Sequence, residues 1–171
     1  MSYSIRPVSP EDEPFLWQML YEAAHLDDED EMSLPVLKKH PQLGKYVRDW
    51  GREGDLGFVA IANEIDTNHK IGAAWLRLFP STDPGYGYLD DRIPELAIAV
   101  LPQYRGQGVG TQLLDRLLAA AKPKYPAISL SVRDDNPAVK LYRRFGFEAI
   151  EESETVNRVG GRSFNMKIDL V

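Results

Sequence analysis

The sequence predicts an α/β protein built on a mixed, mostly antiparallel sheet of about six to seven strands, flanked by about four helices. Three observations carry this prediction. Strand-like and helix-like segments follow the order β-α-α-β-β-β-α-β-α-β-β. Two apolar, β-rich runs, "DLGFVAIANEI" and "KIGAAWLRLF", are joined by the turn-forming "DTNH". A third short run, "ELAIAVL", is separated from a fourth, "AISLSV", by a periodic helix, which calls for a right-handed parallel crossover.

Each element has a local reason. "YSIRPV" reads as the first strand. In "SPEDEPFLWQMLYEAA", Ser9 caps a helix, Pro10 suits its first position, and Asp12 completes a capping-box-like arrangement. Phe15, Leu16, Met19, Leu20 and Ala23 share one helical face. Five consecutive acids, Asp27 to Glu31, break the pattern. "LPVLKKHPQLGKYVRDW" forms one or two short helices, interrupted at Pro41. A helix from about Gly108 to Lys122 buries Val109, Leu113, Leu114, Leu117, Leu118 and Ala121. "NPAVKLYRRFGF" is a short helix, with Asn136 and Pro137 at its start and Gly146 at its exit. Phe147 to Val156 and Ser163 to Leu170 read as the last strands, with "RVGG" turning between them.

Composition narrows the class. With 171 residues, 43% hydrophobic and 27% charged, the chain has the makings of one globular domain over residues 1–171. No apolar run approaches the ~20 residues that span a bilayer, and the N-terminus does not read as a secretory signal. There is no cysteine, so a disulfide framework, a thiolate metal site and a cysteine nucleophile are excluded. A cytoplasmic setting is the default expectation. A net charge of −6 argues against a nucleic-acid partner and suits either simple solubility or a cationic small molecule or peptide.

The stretch "AVLPQYRGQGVGTQLL" is the most informative. Amides at a helix start lack intrahelical partners and carry the positive end of the helix dipole. Glycine lets a bulky anion approach them, and Arg105 adds a planar cation. A P-loop is excluded because no lysine follows the glycines, and the G-x-G-x-G spacing is not a Rossmann fingerprint. A tight turn alone is the competing reading, but Gly106, Gly108 and Gly110 exceed what a turn needs.

At these residues the chain resembles the GNAT superfamily of N-acetyltransferases. Arg105-x-x-Gly108-x-Gly110 is similar to that family's acyl-CoA loop, [QR]-x-x-G-x-[GA]. "LSVRDDNPAVKLYRRFGF" is similar to its fifth strand and fourth helix, including Asn136, Tyr142, Gly146 and Phe147. The strong similarity covers Glu95 to Phe147. It implies a cosubstrate, acetyl-CoA, with Ile98, Ala99 and Val100 beside the pantetheine arm. Arg105, Gly106, Gln107, Gly108, Val109, Gly110 and Thr111 would lie around the diphosphate, with Asn136 bonded to the pantetheine, unless it serves only as a helix cap.

The implied reaction is direct attack of a primary amine on the thioester in a ternary complex, with no metal. Tyr142 would protonate the departing thiolate; the other reading of Tyr142 is core packing. Glu95 would act as base, directly or through water; the other reading is a solvated strand-end acid. Asp90, Asp91 and His25 are weaker rivals. Asp27–Glu31 and the loop Phe79–Pro94, with Tyr86 and Tyr88, would attract a cationic acceptor or simply be solvated. Trp75 and Arg77 face either cleft or core. A homodimer is common in such proteins. The alternative in another class is a GNAT-like sensor that binds acyl-CoA without turnover.

Overall fold

Strand β1 (Tyr3–Pro7) pairs antiparallel with β2 (Leu56–Asn63), Ile5 opposite Ala60. Strand β2 pairs antiparallel with β3 (Asn68–Arg77), Phe58 opposite Ala74, with a register shift between Ala60 and Ile61. This is the hairpin expected from the two β-rich runs. The computed structural model describes residues 2–24, 32–64, 68–157 and 160–170. His25, the acidic run Asp27–Glu31, Ile65 with the first half of "DTNH" (Asp66 and Thr67), and Arg158 with Val159 lie outside the described residues. The chain forms two compact units, Met1–Arg77 with Ala97–Ala119, and Leu78–Leu96 with Ala120–Val171. No helix among the described residues is long and apolar enough to cross a membrane.

In the first unit, helix α1 (Glu13–Ala23) follows a 3₁₀ turn at Pro10–Asp12, and α2 (Leu34–Lys39) precedes another at Gly44–Tyr46. The α1 face differs by one position from the expected one. Leu16, Met19 and Leu20 are buried, but Trp17 takes the core place beside them while Phe15 is half-buried. The Trp17 indole N–H reaches Glu13 Oε2 at 3.3 Å, so the larger ring can bury with its polar atom satisfied. Helix α3 (Val109–Ala121) buries the predicted stripe apart from Leu118, which is half-buried.

Two buried charges organise this unit. The Asp12 carboxylate accepts two bonds from the Arg6 guanidinium (2.7 and 2.9 Å), one from the Ser9 amide (2.8 Å) and an ion pair from Lys70 (2.5 Å). It therefore joins β1, the start of α1 and β3. Trp75 and Arg77 both face the core. The indole N–H of Trp75 donates to Tyr46 O (3.0 Å). Arg77 donates to both oxygens of Asp55 (3.0 and 2.7 Å) and to the carbonyls of Lys45 (3.0 Å) and Arg48 (2.6 Å). Every polar edge of that buried guanidinium thus meets an acceptor, as burial requires.

Strand β4 (Glu95–Val100) runs from the second unit into the first. In the second unit Glu95 pairs parallel with Ser129 of β5 (Ala127–Arg133), as the crossover requires. Strand β5 pairs antiparallel with β8 (Arg162–Asp169) along its length. Helix α4 (Ala138–Phe145) ends at Gly146, whose φ of 106° is the left-handed exit glycine permits. The expected strand over Phe147–Val156 is instead two short pieces, β6 (Glu148–Ala149) and β7 (Thr155–Val156), both paired with β8. The break falls where Glu152 adopts φ 61°. There the Ser153 hydroxyl donates to Ile150 O (2.6 Å) and accepts from the Asn165 amide (3.0 Å), replacing ladder bonds.

Burial raises the Asp12 pKa, but the bonds from Arg6, Lys70 and Ser9 outweigh it and hold the carboxyl well below its ordinary range. A depressed folded-state pKa contributes stability that is complete above the unfolded value near ~4 and is lost as pH falls toward the folded one. Asp12→Asn is expected to cost about 2 kcal/mol at pH 7. It should also flatten the loss of stability between about pH 5 and pH 2. Urea melts of both proteins over that range check the two outcomes.

Candidate active site

The glycine loop is assembled by the first unit. The Leu101 amide donates to Ile71 O (2.8 Å), a 3₁₀ turn follows at Pro102–Tyr104, and α3 begins at Val109. Between them Gly106 has φ 74° and Gly108 has φ 85°, values that disfavour any residue with a side chain. A Cβ on either would meet nothing within 4 Å. Backbone conformation, not crowding, therefore demands these glycines, and the space above them is open. Gly110 lies inside α3 and shows no such φ. From Gly106 to Thr111 no amide donates to a protein group among the described residues; the first that does is Gln112, to Gly108 O (3.1 Å). A run of unclaimed N–H groups at a helix start is suited to an anion.

The approaches to the loop are held by side chains. The Tyr104 hydroxyl donates to Glu64 Oε1 (3.1 Å) and is in close hydrogen-bond contact with His69 Nε2. Arg105 Nε donates to Val100 O (2.9 Å) and Nη2 to Glu22 Oε2 (3.2 Å). Beside the loop, Ala99 is buried and Ile98 and Val100 are half-buried. Strand β3 comes close here, for a Cβ on Gly72 would lie 3.1 Å from Ala99 O.

The second unit carries the titratable candidates. Tyr142 is 6% exposed, packed against Phe147 with ring centroids 5.7 Å apart. Its hydroxyl makes no hydrogen bond among the described residues, and burial pushes its pKa well above the ordinary phenol value. Glu95 is 2% exposed, so the solvated strand-end reading is overturned. The loop that covers it places the Gly87 amide on Glu95 Oε1 in a short hydrogen bond. Ser129, its register partner, is wholly buried, with an enclosed hydroxyl that has no hydrogen-bond partner among the described residues. Asn136 Oδ1 accepts from the Ala138 amide (2.8 Å), the cap expected at α4.

The rivals of Glu95 are otherwise engaged. Asp91 accepts from the Tyr88 hydroxyl (2.5 Å) and the Ser81 amide (3.0 Å). Arg92 binds Asp90 and draws its pKa below the usual carboxylate value. Tyr86 is exposed. Among the described residues no group of three His, Asp or Glu side chains could hold a metal ion. The residue missed by sequence reasoning is Glu22. It lies 83 positions from Arg105, and no local pattern links the two.

Several known proteins are similar to this chain. An N-alpha-acetyltransferase from Sulfurisphaera tokodaii is 44% identical over 59 residues, 33% of this chain and 35% of that protein. An L-2,4-diaminobutyric acid acetyltransferase from Nocardia farcinica is 31% identical over 120 residues, 60% of this chain and 59% of that one. The chain thus spans from about a third to about three fifths of these curated relatives. Among solved structures, yncA from Salmonella typhimurium with its cofactor acetyl-CoA has a TM-score of 0.72 at 18% identity, over 100% of this chain and 95% of that one. That likeness concerns the fold. The model of the acetyltransferase (GNAT) family matches residues 15–147 and so takes in both the glycine loop and Tyr142; the chain belongs to this family and has its fold.

Proposed function

We propose that residues 1–171 act as one acetyltransferase domain that moves an acetyl group from acetyl-CoA to a primary amine. The observation that carries this reading is the run of unclaimed amides from Gly106 to Thr111, opened by two left-handed glycines. Arg105, Gly106, Gln107, Gly108, Val109, Gly110 and Thr111 would surround the diphosphate, Ile98, Ala99 and Val100 the pantetheine arm, with Asn136 adding a bond. The family match through both units supports the single-domain reading. The acetylated amines named for the relatives support an amine acceptor. The ion pair of Asp90 with Arg92 leaves less free negative charge on the 79–94 loop than its acids alone would give, while Asp91 accepts bonds from neutral donors and keeps its charge. A cationic acceptor therefore rests mainly on the overall charge of −6. A cytoplasmic setting and a homodimer complete the proposal, the first as the default for a chain without cysteine and the second from the family's habit.

In the reaction the amine nitrogen bonds to the thioester carbonyl carbon, the C–S bond breaks, and the amine loses a proton. Glu95 takes that proton, directly or through water. A backbone N–H near Val100 polarises the carbonyl as charge develops. Tyr142 gives its proton to the leaving sulfur. Its raised pKa keeps it protonated throughout the neutral range, the state a donor needs.

Three measurements test these roles. Gly108→Val places a β-branched residue at φ 85° and intrudes on the open space. It is expected to weaken acetyl-CoA binding at least ~10-fold and to erase the rise in melting temperature that acetyl-CoA produces in the wild type. In a thiol-release assay over a panel of amines, Tyr142→Phe should lower kcat by about 10²-fold while acetyl-CoA affinity stays. The wild-type rate should show no loss from tyrosine ionisation below pH ~10, because the shift is upward. Unchanged turnover in Tyr142→Phe removes the acid, and binding without release for every amine favours the sensor. Glu95→Gln keeps an oxygen for the Gly87 amide, so the melting temperature should hold while kcat falls about 10²-fold; equal rates would return Glu95 to a structural role.

A further inference from the structure

Arg105 opens the glycine loop, and its side chain is already committed. Nε holds the carbonyl of Val100, the last residue of β4, and Nη2 holds Glu22, in the final turn of α1. One planar group thereby ties the head of the loop to the end of a strand and the end of a helix. The Arg105 side chain is 49% exposed and that of Glu22 18%, so the pair is reachable but not loose.

Two roles for Arg105 are distinguishable. As a phosphate ligand, it would supply positive charge, and Glu22 would compete with the incoming diphosphate. As a clip, it would fix the loop, and Glu22 would be part of the fixing. The surroundings favour the second. Its charge is balanced by a carboxylate 3.2 Å away. The loop that follows does little to fix itself: no backbone amide from Gly106 to Thr111 has a protein acceptor among the described residues, and the Gln107 side chain makes only a long bond, 3.5 Å, to Gln103 O. Two glycines add freedom that something else must remove.

We propose that Glu22 is a positioning residue for cofactor binding. Its carboxylate anchors Arg105, and the clip holds the Gly106–Thr111 amides in place before the ligand arrives. The diphosphate is then read by neutral amides and the helix dipole rather than by the arginine charge. The ligand named here rests on the acetyl-CoA reading above.

The test has a ligand-free arm and a ligand arm. In the free protein, ¹⁵N relaxation should report lower order parameters for Gly106 and Gly108 in Glu22→Ala and Arg105→Ala. Glu22→Gln, which keeps an acceptor oxygen, should match the wild type. With acetyl-CoA, Glu22→Ala should bind about 5-fold more weakly, a cost of lost pre-organisation. KM should rise while kcat at saturation stays. Glu22→Gln should recover affinity to within about 2-fold, and the double variant should be no worse than Arg105→Ala alone. Unchanged order parameters in Glu22→Ala, or tighter acetyl-CoA binding in Glu22→Ala and Glu22→Gln, overturn the proposal. A wild type with an ordered loop and no heat of acetyl-CoA binding would instead defeat the acetyl-CoA reading, and with it the choice of ligand.

Discussion

Between Gly106 and Thr111 the backbone amides have no protein acceptors among the described residues, and a segment of that kind does little to define its own shape. Its shape has to come from its flanks. On one side stands the 3₁₀ turn, fastened through the Tyr104 hydroxyl to Glu64 and His69 of the β2–β3 hairpin. Next comes the Arg105 guanidinium with its strand and helix partners. On the other side Val109, Leu113 and Leu117 sink the first turns of α3 into the apolar interior. Much of the first unit can be understood as scaffolding that lets a few backbone groups stay unsatisfied.

The same economy appears in the buried charges. Asp12, Arg77 and Glu95 are each almost fully enclosed, and the first two touch chain segments far apart in sequence. Asp12 gathers Arg6, Ser9 and Lys70. Arg77 gathers Asp55 and the carbonyls behind α2. Glu95 gathers the Gly87 amide from the covering loop. Desolvation offsets much of the Coulomb gain at such sites. Their contribution here is geometric, because an apolar substitute would leave donors unpaired at Asp12 and Glu95, and acceptors unpaired at Arg77, with several placements open.

Local chemistry made much of this architecture legible. The caps at Ser9 and Asn136, the exit at Gly146 and the glycine loop are short-range patterns whose physics is complete within a few residues. What escaped depends on neighbours that no window contains. Alternation along β3 could not say which face would be covered, so Trp75 and Arg77 stayed ambiguous until Tyr46 and Asp55 were seen against them. Trp17 rather than Phe15 is buried because these two aromatic residues lie on either side of Leu16, at opposite edges of one helical face, and packing chose between them. The break in the strand expected over Phe147–Val156 is not legible, because Glu152 in a left-handed conformation leaves no mark that an ordinary acidic residue lacks. The Glu22 contact is a purely tertiary event.

The contact at Gly87 reaches beyond its own hydrogen bond. A Cβ at that position would lie 2.7 Å from Glu95 Oε1 and 2.8 Å from the Leu130 carbonyl carbon. Neither neighbour is free to retreat, since one is a buried acid and the other is strand backbone. The segment from 79 to 94 is thus divided by a single bare residue that must stay bare. Evolution or an engineer could rewrite the stretches to either side, while the anchoring point itself tolerates no side chain at all.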